Sequence, residues 1–189
     1  MFDRDIDVVS PFCVNQTYEG LLDEFYGIST STISVDNKIV YPDEKVRKEL
    51  GQTDDGKTDF VLSSEDTMFN DIRNKHFNVA GPHLSKTISD IQRMMNDKNQ
   101  KTIQELDKFI KKLKNMNVVK AKEIATSHIN IATHITQSQR SLDYLQVYKM
   151  EGACIMGETK DIPNGLLPKM TKQYNKMKIL RVMALLSTS

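Results

Sequence analysis

The sequence predicts a mainly α protein with a short β-containing lead: an irregular helical domain that carries a protruding antiparallel helical hairpin. Two observations predict it. From residue 63 onward apolar residues recur at spacings of three and four behind Ser/Thr caps, whereas β-branched alternation is confined to residues 28–40. At 189 residues, 39% hydrophobic and 27% charged, the chain is long enough to bury a core and has the composition of a folded protein.

The lead, residues 1–40, is read as a strand, a short helix and weak strands. Residues 2–9 form a short strand or sheet edge, and Pro11 turns the chain. Thr17 precedes Tyr18, Leu21, Leu22 and Phe25, a helix closed by Gly27 with Glu19 complementing the dipole of its first turn. The alternating ISTSTISVDNKIVY predicts one or two weak strands with a hairpin around Asp36-Asn37. Residues 41–62 are rich in turn formers and acids and poor in buriable side chains, which predicts a surface loop.

Residues 63–189 read as the helical domain. Ser63 with Asp66 forms a capping box for a helix over about 65–76 that buries Met68, Phe69, Ile72 and Phe77. Gly81-Pro82 is expected to end it, with Pro82 opening the next helix, which carries Leu84, Ile88, Ile91 and Met95. After the polar turn NDKNQ, Thr102 with Glu105 makes another box before Ile103, Leu106, Ile110 and Leu113. The two helices form a hairpin at about 83–116. A long helix follows with Val118, Ala121, Ile124, Ala125, His128, Ala132 and Ile135 on one side, continuing through Leu142, Leu145, Val147 and Tyr148. GETKDIPNGLLP is a loop, and Thr171 caps a last helix containing Tyr174, Met177, Ile179, Leu180, Met183 and Leu186. No repeat of solenoid length is visible. The abrupt start and the unfinished pattern of KILRVMALLSTS lead us to expect a piece of a longer protein.

Composition excludes several function classes. The net charge of +1 advertises neither nucleic acid nor a basic substrate. Cys13 and Cys154 have no metal-ligand spacing and are expected as buried thiols. Asn15-Gln16-Thr17 matches a glycosylation triplet, but nothing else points to secretion. No apolar run reaches the roughly 20 residues of a membrane span.

Candidate chemistry is sparse. Asp5-Ile6-Asp7-Val8-Val9 resembles the DxD loop of Mg²⁺-dependent phosphotransferases, in which one carboxylate attacks phosphorus and the other protonates the leaving group. Such a loop ends a hydrophobic parallel strand, and only Met1 and Phe2 precede it, so the acids and Arg4 are read as a structural joint. His76, His83, His128 and His134 show no metal or general-base pairing, and His128 on an apolar face is expected as a satisfied core histidine. No GxSxG elbow or Gly-rich phosphate loop exists, so neither a catalytic residue nor a cofactor or metal site is assigned. Residues 98–122 hold eight lysines against Glu105 and Asp107, a local charge of +6. A solvated face is the default for such a run. Among ligands, an acidic helix along a Lys-flanked apolar stripe fits better than nucleic acid or anionic lipid, because Phe109 is the only aromatic present.

DRDIDVVSPFCVNQTYEGLLDEFYGI is similar to the DRxxDxxTPxxxxxTYEGLxDExxGI signature of the Sec-one/Munc-eighteen (SM) family of SNARE regulators. Asp3, Arg4, Asp7, Pro11, Thr17, Tyr18, Glu19, Gly20, Leu21, Asp23, Glu24, Gly27 and Ile28 match, and Ser10 replaces the usual Thr. The resemblance continues through DTMFNDIRNKHFNVAGPHLSKT, TIQELDKFIKKL, HINIATHI and KMKILRVMALLS, and is greatest to the vacuolar-protein-sorting thirty-three branch.

The resemblance implies a fragment, about a third of a three-domain arch, that covers the end of a domain 2 strand and the helical domain 3a. It implies no enzyme but a SNARE-binding module for vesicle tethering and membrane fusion, peripheral on endosomal, lysosomal or vacuolar membranes without insertion, with no nucleic-acid partner. In the full-length protein it implies subunits of the HOPS and CORVET tethering complexes as partners. The hairpin falls where the family holds an R-SNARE helix. Ile103, Leu106, Phe109, Ile110, Leu113 and Met116 would supply apolar contacts or hairpin core, and Lys108, Lys111, Lys112 and Lys114 would steer an acidic helix. Many members carry a proline partway along the second hairpin helix. This chain has none between Pro82 and Pro163, which puts a proline-gated switch in doubt.

Overall fold

A computed structural model of the chain describes residues 9–96, 118–160, 162 and 176–188. Among these residues it holds eight α-helices and one two-stranded antiparallel sheet near the start, the mainly α architecture expected. Contacts divide the chain into two compact units: residues 16–136, and residues 1–15 with 137–189.

In the unit of residues 16–136, α1 (Tyr18–Tyr26) forms where its caps dictate. Thr17 Oγ1 accepts from the amide of Gly20 (3.1 Å), and Tyr18, Leu21 and Leu22, spaced three and one, turn inward and are fully buried. Gly27 ends the helix at φ +75°, a conformation costly for any residue with a Cβ. Its amide donates to the Asp23 carbonyl, while Asp23 Oδ1 accepts from the amide of Ile28 (2.8 Å).

Strand β1 (Thr32–Asp36) buries Ile33 and Val35 on one face, but it does not turn back at Asp36-Asn37. Its partner is β2 (Lys57–Val61), in register Thr32↔Val61 to Asp36↔Lys57. Between them lie α2 (Asn37–Val40) and α3 (Glu44–Glu49), so the segment 41–62 expected as a surface loop contains a helix and a strand. The reason is polar. Buried Asn37 donates from Nδ2 to Gln52 Oε1 (3.1 Å) and the Thr53 carbonyl (2.9 Å) and accepts from Thr58 Oγ1 (2.7 Å). Buried Arg47 donates to the carbonyls of Tyr41 (2.6 Å) and Pro42 (2.9 Å) and to Asp54 (2.9 Å). Buried donors held by backbone carbonyls order a segment that apolar periodicity marks as empty.

Helix α4 (Thr67–Ile72) is capped by Asp66, whose Oδ1 accepts from the amides of Met68 (2.9 Å) and Phe69 (3.0 Å); the Ser63 hydroxyl accepts from Glu65 instead of closing the expected box. It stops four residues short of the expected end. The carbonyls of Arg73 and Lys75 accept instead from the amides of Glu19 and Tyr18, which the first turn of α1 leaves without intrahelical partners. Helix α5 (Phe77–Asn96) then runs straight through Gly81-Pro82, contrary to the expected break. Pro82 removes the donor to the Asn78 carbonyl, at a cost of about 3 kcal/mol. The stripe of buried Phe77, Ala80, Leu84 and Ile91 crosses that point, and one fully buried Leu alone contributes about 1.5–3 kcal/mol. Helix α6 (Val118–Gln139) turns Ala121, Ala125, His128, Ile131, Ala132 and Ile135 inward.

In the other unit a 3₁₀ turn (Ser10–Phe12), α7 (Leu142–Ile155) and α8 (Lys176–Thr188) pack around Val147, Met150, Cys154, Ile162, Val182 and Leu185. α7 is a separate helix, capped by Ser141 Oγ, not a continuation of α6. Its inward face is Val147, Met150, Glu151 and Cys154, while Leu142, Leu145 and Tyr148 are exposed. Glu151, buried, accepts from the amide of Val14 (3.1 Å) and from Arg181 Nη2 (2.8 Å). Thr171, expected to cap the last helix, lies outside the described residues.

Candidate partner-binding region

The residues proposed to meet a partner, Ile103, Leu106, Lys108, Phe109, Ile110, Lys111, Lys112, Leu113, Lys114 and Met116, lie outside the described residues, as do the hairpin turn and the joint residues Asp3, Arg4, Asp5 and Asp7. What is described are the helices that flank them in the chain. α5 precedes them and α6 follows; the two helices meet α4 in a cluster of buried Met68, Ile91, Ala121 and Ala125, with Ile88 and Ile124 packed against it. Alanines at Ala121 and Ala125, one turn apart on α6, keep this contact close. Nearer the start of α5, a groove of about 420 Å³ opens between α5 and α6, lined by Phe77, Gly81, Pro82, Ser85, Ile129 and Thr133.

The signature residues of α1 tie these helices together. Tyr18, fully buried, donates its hydroxyl hydrogen to His128 Nδ1 (2.9 Å), and His128 Nε2–H donates to Asp66 Oδ2 (3.0 Å). One arrangement of hydrogens satisfies all three groups, and it links α1, the cap of α4 and α6 in a single chain. Around it the Tyr18 ring stacks on Phe77 (6.3 Å, 5°) and His128 on Phe69 (6.3 Å, 16°). A second rung lies further along: the Tyr26 hydroxyl and His134 Nδ1 share a hydrogen bond (2.7 Å). Glu19 receives Arg73 in a two-pronged pair, Nε to Oε2 and Nη2 to Oε1, both 2.9 Å, with the guanidinium 5.2 Å from the centre of the Phe69 ring.

Electrostatics follow from burial. Burial, and to a lesser degree Tyr26 and Asp66 beside it, push the Tyr18 hydroxyl far above its ordinary range; burial and Asp36 push Tyr26 up likewise. For Asp66 burial acts upward, but the hydrogen bond from His128 and those from the amides of Phe69 and Met68 outweigh it and hold the carboxylate below its usual value. These groups are set as structural hydrogen-bonding partners. Among the described residues no three His, Cys, Asp or Glu side chains converge as a metal site, and no described helix is long and apolar enough to cross a membrane.

His128 sits where a core histidine was expected, with both ring nitrogens satisfied. The tyrosine–histidine rungs were not found from sequence. Their only signal was a matching reach: eight residues between Tyr18 and Tyr26 and six between His128 and His134 span about 12 and 9 Å of helix. Glu19 was read as a dipole partner, and its larger role, the pair with Arg73, spans 54 positions. Gly20, Asp23 and Glu24 of the signature lie on α1, Gly20 and Asp23 at its caps, and Pro11 lies in the 3₁₀ turn.

Comparison with known proteins gives a consistent result. The family model described as the Sec1 family matches residues 1–189. The chain is 29% identical over 192 residues to a vacuolar protein-sorting-associated protein 33 homolog of Arabidopsis thaliana, covering 100% of this chain and 30% of that relative. It is 28% identical to vacuolar protein sorting-associated protein 33A of Rattus norvegicus (99% and 31% covered) and 25% identical to protein 33B of Danio rerio (99% and 28%). The chain thus spans less than a third of the length of these relatives.

Proposed function

Because the chain belongs to the Sec1 family, we propose that it is the SNARE-binding segment of a regulator of vesicle tethering and membrane fusion in endosomal, lysosomal or vacuolar traffic, acting by binding and not by turnover. The observation that carries the reading is the end-to-end match to relatives named for vacuolar protein sorting. The packing of α5 and α6 supports it physically, since the two helices that flank the intervening residues in the chain share a common core with α4.

In this reading an R-SNARE helix lies along the hairpin. Ile103, Leu106, Phe109, Ile110, Leu113 and Met116 divide between hairpin core and partner contact, while Lys108, Lys111, Lys112 and Lys114 steer an acidic helix. Asp3, Arg4 and Asp7, with the signature of α1, serve as the joint that holds this platform. Tethering-complex subunits of the HOPS and CORVET type engage the longer protein, which is peripheral to the membrane.

The test is a pull-down against a panel of SNARE motifs, with anionic liposomes and duplex DNA as controls. Specific capture of an R-SNARE is expected, and indifferent, steeply salt-dependent binding to liposomes or DNA would overturn the reading. Changing Lys111, Lys112 and Lys114 together to Glu is expected to weaken capture mainly through the association rate, by about 1–3 kcal/mol in total. Unchanged binding at low salt removes those lysines from the mechanism.

A further inference from the structure

The two cysteines of the chain stand 141 positions apart, yet the fold delivers both to one apolar cluster. Cys154 belongs to the core of that cluster, 3% exposed on the inward face of α7, and Cys13 packs against it from the 3₁₀ turn that precedes it. The approach is fixed by more than apolar contact. The amide of Val14, the residue after Cys13, donates to Glu151 Oε2 (3.1 Å), and Glu151 lies three residues before Cys154 on the same inward face of α7. On the other side of Cys13, the turn is closed by bonds from the amides of Phe12 to the Val9 carbonyl (2.9 Å) and of Cys13 to the Ser10 carbonyl (3.2 Å). Neither cysteine is in a disulfide in this structure, and the Cys13 thiol donates to the carbonyl of Val9 (3.6 Å).

We propose that Cys13 and Cys154 are a reversible disulfide pair, closed when a hydroperoxide oxidises Cys13. The roles follow from position. Cys13 is half-buried and within reach of a small oxidant, whereas Cys154 is enclosed. Burial, then the charge of Glu151, then Cys13 itself push the Cys154 thiol up, which leaves the more exposed Cys13 as the first to react.

In the first step the Cys13 thiolate attacks one peroxide oxygen, the O–O bond breaks, and Cys13 becomes a sulfenic acid while the departing hydroxide takes a proton to become water. In the second, the Cys154 sulfur attacks the Cys13 sulfur, the S–O bond breaks as the S–S bond forms, and the hydroxide leaves as water with the proton of Cys154. Two thiols together lose two electrons and the peroxide is reduced to two waters. The product covalently ties the turn of Ser10–Phe12 to α7, in addition to the Val14–Glu151 bond and the apolar packing there.

The test uses the whole chain, reduced, then treated with hydrogen peroxide, alkylated and digested without reductant for mass spectrometry. The expected product is a Cys13-peptide to Cys154-peptide cross-link within one chain, two hydrogens lighter than the thiols, abolished by dithiothreitol. In the Cys154→Ser variant, dimedone should trap Cys13 as its sulfenic-acid adduct. In Cys13→Ser, Cys154 should remain alkylatable at peroxide concentrations that fully convert the unmodified chain. Persistent dimedone labelling of Cys13 in the unmodified chain without a cross-link would overturn the pairing, as would cross-links found only between chains. The unmodified chain decides the matter even where a variant fails to fold.

Discussion

Replacing Tyr18 with Phe removes one oxygen and nothing else from the centre of the α1–α4–α6 junction. The ring keeps its stack on Phe77, so packing is nearly unchanged. Tyr18 is 0% exposed and His128 4%, so no water replaces the lost donor and Nδ1 of His128 is left as a buried acceptor without a partner. Orphaning such a group costs about 1–3 kcal/mol. His128→Leu is expected to cost more, about 2–4 kcal/mol, because it strands the buried Tyr18 hydroxyl and takes the Nε2–H donor from Asp66 Oδ2. The double variant is the decisive member of the cycle. With both partners apolar, no hydroxyl or ring nitrogen remains to be satisfied, so the double loss should fall short of the sum of the singles by about 1–2 kcal/mol. Urea denaturation followed by far-ultraviolet circular dichroism reads these differences, and in a chain of this size each kcal/mol moves Tm by about 2–4 °C. A neutral Tyr18→Phe, or single losses that simply add, would refute the claim that the hydrogen-bonded chain holds the junction.

Three further outcomes follow from the same geometry. Asp66 is held below its ordinary value of 3.8, so its contribution is whole above that value and is lost as pH falls through its folded value; Asp66→Asn should lower stability at neutral pH and flatten the acid limb of a stability–pH curve below about pH 4. Pro82 lies inside α5 and leaves the Asn78 carbonyl without its helical donor, so Pro82→Ala should stabilise by up to about 3 kcal/mol in thermal denaturation; no gain would argue that the helix breaks at Gly81-Pro82 after all. Arg47→Ala strands the carbonyls of Tyr41 and Pro42 and should cost about 1–3 kcal/mol, with limited proteolysis shifting to the 41–55 region; an unchanged cleavage pattern would show that the guanidinium does not order that segment.

The elements that were legible in advance were those whose signals lie within one turn of chain. Thr17 and Gly27 bracket α1 because a cap bonds amides two or three residues away and a left-handed glycine closes the helix it follows. The inward faces of α5 and α6 were legible because Leu84, Ile91, Ala121, Ala125 and Ile135 repeat at helical spacing. Three readings failed for one shared reason. The hairpin at Asp36-Asn37, the loop over 41–62 and the break at Pro82 each followed local punctuation that longer-range contacts overrule. Asn37 and Arg47 find partners across the excursion, and the buried stripe of α5 outweighs one missing helical hydrogen bond. Around the candidate partner region, spacing located the apolar faces of the flanking α5 and α6, but the rungs that brace these helices were invisible, since neither Tyr18 nor His128 carries a local mark of its partner.

By itself, then, the sequence determined the mainly helical class, the start and stop of α1, the apolar faces of α5 and α6 and membership in a family by the residues of one short signature. Only the tertiary structure decided what that signature does: Glu19 reaches Arg73, Tyr18 reaches His128 and His128 reaches Asp66, across 54, 110 and 62 positions. Caps and periodicity act between near neighbours and are written in their order along the chain. A buried polar group is satisfied by whichever donor or acceptor the completed fold brings within about 3 Å, and that choice exists only once the helices have packed.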